Sequence, residues 1–348
     1  MGNPIRKITI KGFKSIRDQE IELRNLNILI GPNGVGKSNF LSFFELLRTA
    51  GTARWIDYVK KMGKIDWLFH FGIKQTSSIY LKIIWEDENY LSSYIKPSGN
   101  DFLYLDSEGV EGPLDKMYDK MSLEMYLKKI DPTIERNFRV YHFHDTSDFA
   151  AVKRSHTIRD DGYLRPDGSN LAAFLLFLKK KHGKEYQRIR ETIQLAAPFF
   201  DDFLLREKEV KDDKEVLLEW HQKGADYPFH PNQISDGTLR FMCLATALLQ
   251  PEPPSTILLD EPELGLHPHA LALLAGLIRK ASTQTQVIVS TQSAALISHF
   301  KPEDIIVVER ENEESVFSRL PLDKLKQWLD DYSLGELWEM NLLEEIGE

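Results

Sequence analysis

Gly31-Pro32-Asn33-Gly34-Val35-Gly36-Lys37-Ser38 fits the phosphate-binding pattern G-x-x-x-x-G-K-[ST]. It follows the apolar run Leu26-Asn27-Ile28-Leu29-Ile30 and precedes an amphipathic stretch, which is the strand–loop–helix context the pattern requires. Three glycines let successive N–H groups turn inward at the start of a helix, whose dipole favours anions. Lys37 is placed to reach the β and γ phosphates of a nucleotide, and the Ser38 hydroxyl to hold Mg²⁺. Asn33, Gly34, Val35, Gly36, Lys37, Ser38 and Asn39 are therefore the candidate nucleotide contacts. The bland alternative, a glycine-rich turn that happens to end in Lys-Ser, leaves the flanking strand and helix signals without a purpose.

Upstream, residues 5–13 and 19–23 alternate apolar and polar, which predicts two strands joined by Lys14-Ser15-Ile16-Arg17-Asp18. Downstream, Phe40, Leu41, Phe44 and Leu47 recur at helical spacing over 38–47. Residues 50–72 mix aromatic and basic side chains (Trp55, Tyr58, Lys60, Lys61, Trp67, Phe69, His70, Phe71). Such a mixture either stacks on bases or simply covers a core. Residues 77–85, 90–96 and 102–105 read as an antiparallel meander, 114–130 as a helix, and 139–143 as a strand ending in His142-Phe143-His144-Asp145. On a strand the two histidines share a face and Asp145 points away, which makes a metal site there a minor reading.

Asp167-Gly168-Ser169-Asn170 reads as a cap before a helix over 171–178 that runs into Lys179-Lys180-Lys181, and a second helix spans 184–196. With Lys184, Arg188 and Arg190, this is the best candidate basic patch for DNA. The opposing reading is a solvated charged face. Residues 203–210 and 215–220 form a further hairpin around Lys211-Asp212-Asp213-Lys214.

Thr256-Ile257-Leu258-Leu259-Asp260-Glu261 is an apolar strand ending in two carboxylates. Paired with the phosphate loop, Asp260 supplies a second Mg²⁺ contact and Glu261 a general base for the attacking water. Asp260 lies more than 220 residues beyond Lys37, far more than one strand–helix–strand crossover, so the nucleotide core is split by an insertion. Before that strand, Ile234-Ser235-Asp236-Gly237-Thr238 opens another helix with a hydroxyl and bare N–H groups.

The chain has 348 residues, 42% of them hydrophobic and 28% charged, which is ordinary globular composition. A net charge of −9 means that DNA could bind only through a local basic patch. The single cysteine, Cys243, excludes an internal disulfide and a cysteine metal cluster. No apolar run is long enough to span a membrane and residues 1–11 carry no apolar signal core, so a soluble, cytoplasmic protein is expected.

Taken together, these residues resemble the ABC-type ATPases of the RecF and SMC branch, and within it the ATPase part of the overcoming-lysogenization-defect nucleases. The resemblance rests on Gly12-Phe13-Lys14-Ser15, the loop from Gly31 to Asn39, Ser235 to Thr238 in place of the ABC signature, and Asp260-Glu261-Pro262-Glu263-Leu264-Gly265-Leu266-His267-Pro268. His142 to Ser147 and Tyr332-Ser333-Leu334-Gly335-Glu336-Leu337-Trp338 look like the same subgroup.

The resemblance implies an α/β fold: a split P-loop NTPase of ABC topology with an antiparallel β subdomain and a small helical insertion. Its segments are expected at 1–145, 146–202 and 203–348. It implies ATP and Mg²⁺ as ligands and a head-to-tail homodimer, with a higher oligomer left open. Ser235, Gly237 and Thr238 of one copy would close on the nucleotide of the other. Gln292 stands where the family carries its switch histidine; an amide can sense the γ-phosphate but cannot carry a proton. His267 stands where the D-loop ends in aspartate, and His144 or Asp145 where a Q-loop glutamine is expected.

Fewer than 40 residues follow the strand expected at 305–309, which leaves no room for the metal-binding nuclease domain of the larger relatives. An effector, such as a nuclease in DNA maintenance or anti-phage defence, is therefore expected on another polypeptide. Direct grip on duplex DNA is the alternative. A transporter ATPase is disfavoured by the D-loop string and by the absence of a membrane segment.

Overall fold

Leu26, Ile28, Leu29 and Ile30 leave no polar face, so this segment is stable only where both sides are covered, and all five of its residues are buried. The computed structural model describes residues 3–49, 58–60, 62–98, 102–109, 138–211 and 213–343. The chain runs β1 (Ile5–Phe13), β2 (Ile16–Glu22), β3 (Leu26–Ile30), α1 (Lys37–Thr49), β4 (Ile79–Trp85), β5 (Tyr90–Ser98), β6 (Phe102–Gly109) and β7 (Phe138–Tyr141). There follow β8 (His156–Thr157), α2 (Leu171–Lys181), α3 (Gly183–Ala196), β9 (Phe200–Leu204), β10 (Glu207–Val210), β11 (Asp213–Val216), β12 (Glu219–Gln222), β13 (Pro228–Phe229) and α4 (Asp236–Leu249). The last elements are β14 (Thr256–Asp260), α5 (Pro268–Ala281), β15 (Gln286–Thr291), α6 (Ala294–Ile297), β16 (Ile305–Glu311), β17 (Glu314–Arg319), α7 (Leu322–Leu329) and α8 (Leu334–Glu339).

Two compact units form: one from residues 1–140, 254–258 and 285–348, the other from 141–253 and 259–284. They cut across the segments 1–145, 146–202 and 203–348, because 254–258 and 285–291 return to the sheet of the N-terminal unit. In that unit a six-stranded sheet has the order β17-β16-β3-β15-β14-β7, with β3 parallel to both β15 and β16. A five-stranded antiparallel sheet, β2-β1-β4-β5-β6, supplies a second layer.

Helix α1 turns Phe40, Phe43 and Phe44 into the core against Phe13, Phe138 and Phe317. Edge-to-face rings 5.1 to 5.5 Å apart add stacking attraction to area burial. Asn27 is polar and fully buried on β3, and its amide answers Arg24 N–H, Arg24 O and the Arg319 guanidinium. Burial pulls Arg319 down to about 10, and backbone carbonyls of Glu22, Glu303 and Ile305 accept its remaining N–H groups.

The second unit buries α2, α3 and α4 on one another through Leu171, Leu175, Ile189, Ile193, Phe241 and Leu244. Two small antiparallel sheets, β10-β11-β8 and β13-β12-β9, lie beside them. Burial pushes the Cys243 thiol up to about 12, which leaves it an inert core residue.

Several local expectations are corrected. The first hairpin turns at Lys14-Ser15, with Lys14 at φ 48°, so β2 begins at Ile16 rather than residue 19. Strand β7 stops at Tyr141, which puts His142 to Asp145 in a loop. The hairpin over 203–220 divides into two pairings, β10 with β11 and β9 with β12. Asp167 accepts from Ser169 N–H rather than capping α2, and Asn170 is spent on Arg165 N–H and the carbonyls of Asp160 and Tyr163. The helix expected over 114–130 lies outside the described residues. No described helix is long and apolar enough to cross a membrane.

Candidate functional site

The phosphate loop lies in the N-terminal unit and is braced before any ligand is considered. Lys37 is the first residue of α1 and 5% exposed, and its Nζ donates to Gly31 O at 2.6 Å and Pro32 O at 2.9 Å. The loop's own carbonyls thus fix the ammonium inside it. Asn33, Gly34 and Ser38 are exposed, so the donors of the helix start face solvent. Gly36 has φ 114°, and a β-carbon there would overlap Ser315 Oγ. Glycine is required by conformation and by space.

Ser315 belongs to β17, a strand beyond the expected final one. Val35 O can only accept, so the Ser315 hydroxyl donates to it at 2.5 Å. Ser15 then donates to Ser315 at 2.6 Å, and Asn39 Nδ2 donates to Ser15 at 2.8 Å. One directional chain therefore joins α1, the first hairpin turn, β17 and the loop. We expect Ser315→Ala to leave the Val35 carbonyl without its donor in a fully buried position, at a cost of about 1–3 kcal/mol. Because the loop loosens while its charges remain, KM for ATP should rise several-fold more than kcat falls; steady-state kinetics beside a melting curve checks this.

Gln292, in the same unit, follows β15 and is half-buried. Trp338 Nε1 on α8 donates to its backbone O at 3.4 Å, and Gly335 lies so close to α6 that a β-carbon would overlap Ala294 O. The Tyr332-to-Trp338 ending therefore holds the Gln292 segment.

The second unit carries the carboxylates. Asp260 ends β14, and Glu261 has φ 41° immediately before Pro262. Both histidines of the preceding loop turn to Asp260: His142 Nδ1 is 3.5 Å from its carboxylate, and His144 Nε2 donates to its backbone O at 2.9 Å. Asp145 instead accepts from Ser147 N–H and Oγ–H, so of the two Q-loop candidates only His144 touches the Asp260 strand. Among the described residues no group of three His, Cys, Asp or Glu side chains could hold a metal, so His142, His144 and Asp145 do not make the metal site weighed in the sequence.

Ser235 is the exposed N-cap of α4, accepting from Thr238 N–H at 3.3 Å and bonding Thr238 Oγ1 at 2.8 Å. A β-carbon on Gly237 would overlap Gly265 O, so the signature glycine sits against the segment after Glu261. His267 caps α5 through Nδ1, which accepts from His269 N–H. Arg240 was not legible as a site residue. Its guanidinium is buried and bonds Phe143 O at 2.8 Å, His144 O at 3.2 Å and Leu264 O, which ties the signature helix to the histidine loop and to the Leu264 segment. Desolvation pulls its pKa down, partly offset by Asp236. The available signal was a lone cation in the apolar run Leu239-Arg240-Phe241.

Half of the expected basic patch is compensated, while Lys181, Lys184 and Arg188 are exposed. Lys179 pairs with Asp202 at 3.3 Å, Lys180 pairs with Glu207, and Arg190 reaches Asp201 at 3.1 Å and Asp202 at 3.7 Å. A face whose cations already hold carboxylates gives up fewer counterions to a phosphate backbone.

Comparison with known proteins gives a family and a fold. The family model described as "AAA domain, putative AbiEii toxin, Type IV TA system" matches residues 26–298. Among solved structures, an SMC head bound to the C-winged helix domain of ScpA aligns with a TM-score of 0.64 at 18% identity, covering 92% of this chain and 99% of that one. An SMC head with an extended coiled coil, bound to the C-terminal domain of ScpA derived from Pyrococcus furiosus, gives 0.61 at 18% identity, covering 94% and 99%. The SMC head with a coiled coil and joint from Pyrococcus yayanosii gives 0.56 at 14%, covering 94% and 99%. No curated protein sequence matches the chain.

Proposed function

The chain belongs to the AAA-domain family matched over residues 26–298 and has the split P-loop fold of SMC-type ATPase heads, and from that premise we propose that it hydrolyses ATP and uses the nucleotide to switch a homodimer. The observation that carries this reading is the braced phosphate loop, with Lys37 held by Gly31 O and Pro32 O and Gly36 backed by Ser315. Lys37 neutralises the β and γ phosphates, and the N–H groups from Asn33 to Asn39 receive their oxygens. Ser38 and Asp260 would hold Mg²⁺, which supplies further positive charge at the phosphates. Glu261 accepts a proton from water as the water oxygen bonds to the γ-phosphorus. The bond from that phosphorus to the bridging oxygen breaks, and ADP keeps its electron pair. Gln292 reads the γ-phosphate through its amide.

In this reading Ser235, Gly237 and Thr238 bind the nucleotide of a second copy, with His267 near the same contact. Exposure of the Ser235 cap supports it, because a helix start aimed at solvent is open to an anion brought by a partner. ATP then joins two copies, and hydrolysis releases them. The effector so controlled is a separate protein, a nuclease of DNA maintenance or anti-phage defence. The ion pairs of Lys179, Lys180 and Arg190 weaken the alternative of direct grip on duplex DNA, which would rest on Lys181, Lys184 and Arg188.

Native mass spectrometry of the Glu261→Gln protein, purified from its source cells with and without ATP, tests the switch. We expect a dimer in ATP and a monomer without it, with any effector appearing as added mass on the dimer. A monomer in saturating ATP would refute the dimer mechanism.

A further inference from the structure

The five-stranded sheet has a second face that the ATPase reading does not use. Lys11 on β1 is the register partner of Tyr80 on β4, and Tyr80 is the partner of Tyr94 on β5, so three neighbouring strands set these side chains in one row. Ile10, Ile79, Leu81 and Ile95, adjacent along the same strands, are buried in the core that receives α1. Side chains alternate across a sheet, so the Lys11-Tyr80-Tyr94 row lies on the face turned away from the phosphate-loop helix. There it lines a cavity of about 720 Å³, together with Arg17, His70 and Phe71.

Phe71 is the unusual member. An aromatic residue at positive φ is a steric outlier, and Phe71 has φ 52° while 58% exposed, so core burial does not offset its strain. Nor is the loop loose. His70 N–H donates to Gly12 O at 3.0 Å, His70 Nδ1 donates to Lys14 O at 2.7 Å, and Thr76 Oγ1 donates to His70 O at 2.6 Å. A strained ring, set edge-to-face on His70 with centroids 4.4 Å apart, therefore lines the same cavity as the Tyr80–Tyr94 pair, whose ring centroids are 5.0 Å apart. Because Lys14 O can only accept, Nδ1 carries the proton of a neutral His70, and Nε2 is the acceptor of that ring.

Two rigid aromatic surfaces and one acceptor suit a flat heterocycle bearing an amino group. Lys11 and Arg17 are exposed cations paired with Asp18 at 2.9 Å and Glu314 at 2.7 Å, and both line the cavity with further N–H donors to offer a single phosphate. The four charges sum to zero, which disfavours a long polyanion. We propose that this cavity binds a single nucleotide with an amino-bearing base, stacked between Phe71 and the tyrosine pair, separately from the phosphate loop and whether or not that loop hydrolyses ATP.

The probe is 8-azido-AMP, photolabelled onto the full chain and mapped by peptide mass spectrometry, with equilibrium binding of AMP alongside. Label is expected on the peptides carrying Phe71, Tyr80 or Tyr94 and should persist in Lys37→Ala. Phe71→Gly removes a stacking surface and should weaken AMP about tenfold or more. The same change relieves the positive φ, so its melting temperature should hold or rise, which separates lost binding from lost fold. UMP, whose base lacks the amino group, should compete poorly. Label confined to the phosphate loop, loss of label in Lys37→Ala, or AMP binding unchanged by Phe71→Gly would overturn the proposal. Capture of oligo(dA) without any binding of AMP would also overturn it, in favour of a nucleic-acid surface.

Discussion

Lys37→Ala should abolish measurable ATP turnover, with a loss of about 10²–10³-fold or more in kcat/KM, while the protein remains folded. The two halves of this expectation have separate causes. In the folded chain the Lys37 ammonium donates to Gly31 O and Pro32 O, charge-assisted bonds worth about 1.5–3 kcal/mol each. Pro32 is exposed, so water can replace the donor at its carbonyl, and alanine is the best residue for a helix start of this kind. Gly31 O loses a buried donor, but a buried ammonium no longer has to be desolvated, so the melting temperature should fall moderately while the protein stays folded. The phosphates lose far more, since a fixed ammonium inside the loop becomes a methyl group in a site built for anions. Lys37→Met, which keeps the stem packed against the loop, should be as inactive as Lys37→Ala. ATP turnover within tenfold of wild type in either variant would remove the phosphate loop from the mechanism.

The loop was readable because its constraints are local. Glycine at Gly36 and lysine at Lys37 are dictated by backbone conformation and charge, and the apolar run of β3 announces a buried strand. The same holds for β14 and β15, whose residues are all buried. Strand β17 escaped because one of its inward side chains is Ser315, so the alternation of polar and apolar residues that marks a half-buried strand is broken where it braces the loop. Arg240 escaped for a related reason. Its burial is stabilised by carbonyls of Phe143, His144 and Leu264, and such acceptors exist only once the chain has folded. The turn at Lys14-Ser15 and the stop of β7 at Tyr141 are boundary effects, set by partner strands rather than by the residues themselves.

Glu261→Gln should reduce hydrolysis about 10²-fold or more while leaving ATP binding within a few-fold of wild type, because an amide keeps the size of the side chain but cannot take a proton. Single-turnover quench-flow beside equilibrium nucleotide binding checks both parts. Backbone strain gives a second and independent handle on the same residue. Glu261 sits at φ 41° and precedes Pro262, whose ring further restricts the conformation available to the residue before it. A non-glycine residue held there costs about 1–2 kcal/mol. Glu261→Gly should recover much of that, raising the melting temperature of the protein even though glycine has more freedom to lose on folding. It should also lower turnover at least as far as Glu261→Gln does, since neither side chain can act as a base. A stability gain coupled to loss of activity is the expected pattern where strain is kept for the position of a reacting group. Should Glu261→Gly instead melt lower than wild type, the positive φ would not be a stored cost. Should it hydrolyse ATP normally, the base would have to be sought in another residue.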